Sequence, residues 1–385
     1  MRRTVFHADH EEFRKTVRAF VEAEVVPVYD TWYKDGIVPR DFYLKLGELG
    51  VFGIEVPEEY GGAGIASYKF QAVVTEETAR AGVSFGGSGP QVALCLPYLK
   101  ALATEEQKRR WLPGLATGGI MFALAMTEPG TGSDLAGMRT TAKLSEDGTH
   151  YVLNGAKTFI TGGVHADRVI VCVRTAPPRE DDRRYGISLL VVDTRSAGYT
   201  VGRKLDKLGL KVEDTAELAF ADVRVPREDL LGEENMGFRY LAQNLPRERM
   251  GIAFGAYAQA KAAIRFTRQY VLERHVFGKP LATFQNTKFE LAACKAEIDA
   301  AEAVVDRALD AYDAGELSAT DAASAKLFCT EAADRIIDRC LQLHGGYGYI
   351  NEYPISRLYA DSRVNRIFGG TNEVMKIIIA REMGL

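Results

Sequence analysis

A chain of 385 residues is longer than one hydrophobic core usually supports, so two or three packed units are expected. Hydrophobic residues make up 46% and charged residues 26%, the balance of an ordinary globular protein. The net charge of −4 gives no electrostatic footprint for nucleic acid or an anionic membrane, and the short cluster Lys108-Arg109-Arg110 reads as a solvated helix face.

Three zones of different periodicity follow one another. From Asp9 to about Gly118 the pattern is helical. Asp9 and Glu12 form a candidate capping pair, and Phe13, Val17, Phe20, Val21 and Val25 share one face until Pro27. Helical spacing returns at Asp41–Leu49, Ser67–Ala81 and Gln91–Leu102, with Gly61-Gly62-Ala63-Gly64 as a flexible loop. From about Ile120 to Asn235 the signals are those of strands. Asp147-Gly148 marks a hairpin between Thr140–Leu144 and Tyr151–Leu153, and Asn154-Gly155 a second turn. Arg168–Val173, Ile187–Val192 and Glu217–Arg224 are further strand candidates. Helices and strands do not alternate, which argues against a parallel Rossmann sheet and for an antiparallel barrel or sandwich. From about Met236 onward, Met250–Tyr270, Phe289–Tyr312 and Ser318–Leu343 read as long bundle helices. The expected fold is therefore α+β: an N-terminal helical domain (1–118), a middle β domain (119–235) and a C-terminal four-helix bundle (236–385).

Cys95, Cys172, Cys294, Cys329 and Cys340 are scattered, odd in number and without a Cys-x-x-Cys pair, which fits reduced thiols in a reducing compartment. The start, Met1-Arg2-Arg3-Thr4-Val5-Phe6-His7, has no apolar signal core, and no apolar run reaches ~18 residues. A cytoplasmic location with no membrane partner is expected.

Five motifs carry chemistry. Phe122-Ala-Leu-Ala-Met-Thr-Glu-Pro-Gly-Thr-Gly-Ser-Asp134 is a strand running into a glycine-containing loop, whose amides can approach a planar cofactor closely. Gly130 and Gly132 lack the third glycine of a dinucleotide fingerprint, and a plain strand-exit turn is the alternative. Lys157-Thr-Phe-Ile-Thr161-Gly-Gly163 is by itself an ordinary strand. Glu273-Arg-His-Val-Phe-Gly-Lys-Pro-Leu-Ala-Thr-Phe-Gln285 joins a cation and an amide to a rigid Gly-Lys-Pro element, which suits a pyrophosphate. Gln342-Leu-His-Gly-Gly-Tyr-Gly348 contains His344, read as a structural histidine. Gly370-Thr371-Asn372-Glu373 starts the last helix, where Thr371 and Asn372 can cap and the helix N-terminus favours phosphate.

The order of these motifs, over nearly the whole chain, resembles the acyl-CoA dehydrogenase family. The resemblance implies FAD as cofactor and α,β-dehydrogenation of an acyl-CoA thioester. It also implies an electron-transferring flavoprotein as acceptor and a homotetramer built as a dimer of dimers. By the same resemblance Phe122, Leu124, Met126, Thr127, Gly132, Ser133, Phe159 and Thr161 border the flavin, and Ser133 also meets the CoA portion. Phe159 stands where many members have tryptophan, keeping an apolar wall without the indole donor. The Thr161 hydroxyl is expected at flavin N5. Arg274, Gln285, Gln342, Leu343, His344, Gly345 and Gly346 are expected on the FAD of a neighbouring subunit, Phe277 is expected to bind the cofactor, and Thr371, Asn372 and Glu373 are expected on the adenosine diphosphate part of FAD.

One position departs from the common pattern. Many members carry their catalytic glutamate where this chain has Gly369 in Ile367-Phe-Gly-Gly-Thr-Asn-Glu373. The isovaleryl and long-chain branches instead take the base from the helix after the sheet domain, a match to Glu248-Arg249 in Asn244-Leu-Pro-Arg-Glu-Arg-Met250. Glu248 is the candidate base, Arg249 an orienting residue, Tyr240 a pocket residue, and the backbone at Gly369 and Gly370 a thioester-polarising site that needs no side chain. The local alternative is that Glu248 merely pairs with Arg247 or Arg249. Two rival functions stay open on these residues. One is a flavin monooxygenase or oxidase of the same fold, which has no need of Glu248. The other is a redox-inactive acyl-thioester binding protein.

Overall fold

The computed structural model describes residues 3–385; Met1 and Arg2, part of the segment read above for a signal, lie outside them. The helical zone contains α1 (Ala8–Phe20), α2 (Tyr29–Asp35), α3 (Phe42–Glu48), α4 (Lys69–Ala81), α5 (Leu96–Leu102) and α6 (Glu105–Ala116). Val17, Val21 and Val25 are buried, as the spacing predicts, but the chain passes through a wider π turn at Val21–Val25 to keep them on one face. The start of α1 differs from expectation. His7 rather than Asp9 is the N-cap residue, with the His7 N–H donating to His10 Nδ1 at 3.0 Å, while Glu12 pairs with Lys15. The Gly61–Gly64 loop is tied down rather than free: the N–H groups of Ala63, Gly64 and Ile65 donate to the carbonyls of Gly53, Val56 and Ile54.

The middle zone is one sheet of β1 (Phe122–Ala125), β2 (Thr141–Leu144), β3 (His150–Thr161), β4 (Arg168–Arg174), β5 (Ile187–Asp193), β6 (Tyr199–Lys204), β7 (Thr215–Pro226) and β8 (Leu230–Leu231). The path runs β6-β7-β3-β2-β4-β5-β8, with β1 joined to β4. Most pairs are antiparallel, but β1 lies parallel to β4, and β2 meets β4 in parallel at Thr141 and Arg174. The expectation of a purely antiparallel sheet is thus corrected to a mixed one. The chain leaves β1 through a long loop and the β2–β3 hairpin before β4 returns beside it, which allows the parallel pairing without a helical crossover.

Asn154-Gly155 is not a turn. It lies inside β3 at a bulge against β7. Gly155 has φ +145°, and a Cβ there would press on Thr140 at 2.6 Å, so the glycine serves close backbone approach within a strand.

The last zone contains α7 (Gly237–Glu273), a small hairpin of β9 (His275–Val276) and β10 (Lys279–Pro280), α8 (Gln285–Asp313), α9 (Ala319–His344), α10 (Pro354–Ser362) and α11 (Asn372–Glu382). Ala253, Ala256, Ala260 and Ala263 of α7 are buried, as are Ala322, Ala325, Cys329 and Ala333 of α9. These small side chains let the two helices approach closely. No helix among the described residues is long and apolar enough to cross a membrane.

Three cores result. One joins the N-terminal helices to one face of the sheet and takes in Leu241 of α7. The second fills the bundle and recruits Tyr68, Ala72 and Ala79 from around α4. The third lies under the opposite face of the sheet. Between the first two, Arg247 of α7 makes a two-pronged ion pair with Glu55, Nη2–Oε1 at 2.6 Å and Nη1–Oε2 at 2.9 Å, with the Tyr312 hydroxyl at 2.5 Å. Both partners are buried. Glu55→Leu leaves the guanidinium buried without its carboxylate and is expected to cost on the order of 3–5 kcal/mol. An unchanged denaturant midpoint in that variant would show that the pair does not hold α7 in place.

Candidate active site

Consecutive residues on a helix turn by ~100°, so Arg247, Glu248 and Arg249 point in three directions. Arg247 is committed to Glu55. Arg249 is buried and directs Nε at the Gly369 carbonyl, 3.3 Å away. Glu248 forms no hydrogen bond or ion pair among the described residues, so the reading in which it only pairs with a neighbouring arginine is not what the fold builds. Pro246, just upstream, removes one N–H from the helical ladder of α7.

The Glu248 carboxylate lies against Gly369. A Cβ built on Gly369 would stand 3.3 Å from Glu248 Oε1 and would collide with Ile252 Cδ1. Gly369 also has φ +63°. A side chain at 369 and the present position of Glu248 therefore compete for one space. Glu248 is half-buried, and protein surrounds its carboxylate on most sides. Burial pushes its pKa up, and the Arg249 and Lys326 cations pull it partly back. Tyr98 of α5, fully buried, lies within electrostatic reach of both Glu248 and Cys172 of β4, which places it between the helix and the sheet.

The loop after β1 carries the second group of expected residues. Its key is a buried pair that motif reading did not single out. Lys157 Nζ donates to Glu128 Oε1 and to the Met126 carbonyl, each at 2.9 Å, and the N–H groups of Arg139 and Thr140 donate to the same carboxylate at 2.7 and 2.9 Å. Burial pushes the Glu128 carboxyl up, but the ammonium and the two N–H donors outweigh it and bring it to about 2. The Thr158 N–H donates to the Thr127 carbonyl at 2.9 Å, so the loop and β3 share a rim. On that rim Phe159 has φ +59° at a bulge of β3 and is 67% exposed. A bulky residue held in the left-handed region marks strain retained at a functional surface. The Thr127 and Thr161 hydroxyls on either side take no partner among the described residues, and Gly132 and Ser133 are exposed.

Not every expected residue reaches this rim. Phe122 is fully buried against Trp111, and Leu124 belongs to the same core. β1 is covered on both faces, which the motif could not show. Tyr240 packs over Gly232 and its hydroxyl accepts from the Glu233 N–H at 3.1 Å, which secures the start of α7. Thr371 caps α11 by accepting from the Val374 N–H at 3.4 Å. The Asn372 side chain is buried and donates to Thr330 Oγ1 at 3.1 Å, so it holds α11 to α9; Glu373 is exposed.

Arg274, Phe277, Gln285, Gln342, Gly345 and Gly346 form a separate, exposed group at the far end of the bundle, with Leu343 half-buried. Phe277 (φ +50°) and Gly278 (φ +78°) make the two-residue turn between β9 and β10, and Phe277 is 94% exposed at its tip. His344 is buried, stacks on Tyr270 at 4.2 Å and has its pKa brought down to about 4 by burial, as a structural histidine does. Arg274 follows Glu248 by about 26 positions along α7, about 39 Å at the helical rise.

Comparison with known proteins decides the family. Models of the acyl-CoA dehydrogenase N-terminal, middle and C-terminal domains match residues 7–119, 123–223 and 235–384. The chain belongs to the acyl-CoA dehydrogenase family. It is 43% identical over 381 residues to a long-chain specific mitochondrial acyl-CoA dehydrogenase from Sus scrofa, covering 99% of this chain and 88% of that protein. An acyl-CoA dehydrogenase structure from Geobacillus kaustophilus superposes with TM-score 0.95 at 45% identity, covering 99% of each chain. One from Bacillus anthracis, complexed with FAD, superposes with TM-score 0.90 at 34% identity over 98% of this chain and 67% of that one.

The Glu128–Lys157 pair gives the family's loop a testable property. Glu128→Gln leaves the Lys157 ammonium buried without a counter-charge and is expected to cost on the order of 3–5 kcal/mol. In the parent chain the Glu128 contribution is present above the ordinary carboxylate range and is lost as pH falls toward about 2. Acid unfolding followed by circular dichroism should therefore lose that limb in the variant; identical acid profiles would rule the pair out as the source.

Proposed function

We propose that the protein is an FAD-dependent acyl-CoA dehydrogenase in which Glu248 is the base. The observation that carries the reading is the unpaired Glu248 carboxylate filling the space beside Gly369. FAD, when bound, supplies the hydride acceptor for the β-hydrogen. The rim fits it: Phe159 offers an exposed apolar face, and the Thr127 and Thr161 hydroxyls are free to donate.

The chain's own residues then divide the work. Glu248 takes the α-proton, and the proton affinity that burial raises suits a carboxylate to that task. The backbone at Gly369 and Gly370 polarises the thioester carbonyl, with Arg249 holding the Gly369 carbonyl away from the substrate. Glu128 and Lys157 keep the loop bearing Ser133 in register with Phe159. The α-proton leaves to the Glu248 oxygen while the β-hydrogen leaves with its electron pair, giving the trans-2-enoyl thioester.

The exposed group at Arg274 supports cofactor sharing. A single protomer spreads Glu248 and Arg274 over about 39 Å, so Arg274, Gln285 and Gln342 serve the site of another copy. A homotetramer, electron transfer to an electron-transferring flavoprotein and a cytoplasmic location complete the proposal. The five buried free thiols support the reducing compartment.

Anaerobic titration with saturated acyl-CoAs of graded length should bleach the flavin. Bleaching by none of them would leave the oxidase or the binding-protein reading in its place. Glu248→Gln should retain FAD and lose at least ~10³-fold in the rate of flavin reduction, on the scale of a lost general base. In the parent enzyme that rate should rise with pH through the Glu248 titration, because only the ionised form accepts the proton. Arg274→Ala and Gln342→Ala should lower FAD occupancy with Glu248 intact; full occupancy in both would remove the shared-cofactor proposal.

A further inference from the structure

Lys326 of α9 is the second buried cation near Glu248, and the reaction as described makes no use of it. Its side chain is fully buried, on the same helix stretch as Ala322, Ala325 and Cys329. It has no carboxylate partner within ion-pair distance among the described residues. Its Nζ instead donates to the Gly370 carbonyl. Arg249 holds the preceding carbonyl, that of Gly369. Two cations on two different helices thus grip two successive peptide units of one turn.

That turn needs such a grip. Gly369 and Gly370 have φ +63° and +90°, and glycine alone leaves these torsions soft. No backbone carbonyl among the described residues takes their N–H groups. Because each peptide unit is rigid, fixing the Gly369 and Gly370 carbonyls fixes where the Gly370 and Thr371 N–H groups point.

We propose that Lys326 is a positioning residue: its buried ammonium anchors the Gly369–Gly370 turn for the thioester and balances the charge of Glu248. The proposal rests on the reading of Glu248 as the base. The charged and titratable groups around Glu248 are Arg249 on its own helix, Lys326 on α9 and Tyr98 on α5; Glu373 on α11 faces Lys326. Burial and Arg249 bring the Lys326 pKa down to about 8, so the ammonium persists at neutral pH. Removing a cation beside a carboxylate raises the proton affinity of that carboxylate.

The test compares Lys326→Met and Lys326→Arg in the FAD-loaded protein. Flavin reduction by an acyl-CoA is followed against pH, and hydrogen exchange of the 368–374 amides is followed without substrate. Lys326→Met should retain FAD, slow reduction at least ~10-fold, move the rising limb of the pH profile about one pH unit upward, and speed exchange at Gly370 and Thr371. Lys326→Arg should restore the limb and the slow exchange. A slower rate with the limb and the exchange unmoved would overturn the proposal, as would loss of FAD in both variants. If the parent protein is reduced by no acyl-CoA, the functional reading fails, and the exchange comparison alone decides whether Lys326 anchors the turn.

Discussion

The buried Glu55–Arg247 pair sets the rotation of α7, and the site follows from that rotation. With Arg247 turned to the N-terminal domain, the helical step sends Arg249 to the last turn before α11 and leaves Glu248 between them, its carboxylate against Gly369. A charge pair of this kind contributes less to stability than to choosing one arrangement, because an alternative rotation leaves a guanidinium buried and unpaired. The same pair joins the two cores that meet at α7.

Gly369 is the complement of that arrangement. Its missing side chain is not an empty place, since Ile252 and the Glu248 carboxylate already fill it. Two positions far apart in sequence serve one point in space, and only one of them can carry the acid.

The fold was legible where periodicity is strong. The long helices, the Asp147-Gly148 hairpin and the strands at 168–174 and 187–193 appear close to where alternation and helical spacing put them. The parallel placement of β1 was not legible, because strand direction depends on a loop path that local pattern does not encode. Asn154-Gly155 misled for a related reason: the dipeptide that favours a turn also favours a bulge. Within the site, Glu248 and Phe159 could be named from motifs. Their neighbours could not. Phe122 and Leu124 are apolar residues on a strand covered on both faces, and Tyr240 is taken by a nearby amide. Glu128 and Lys157 stood inside the quoted motifs, 29 positions apart, and only the fold of the loop onto β3 brings them together. Lys326 offered one signal, a lone cation in an alanine-rich run.

The length of α7 has a consequence for assemblies of this chain. In the proposed function, one rod bears the proton acceptor of its own site in its first half and, where the helix ends, the cofactor grip for a neighbouring site. On that reading, damage at Glu248 and damage at Arg274 of a single rod fall on two different catalytic centres. The proposed sharing then predicts that a mixed assembly of two chains, each injured at one of these positions only, holds one centre with both injuries and one with neither, so that chains inactive alone restore activity to each other.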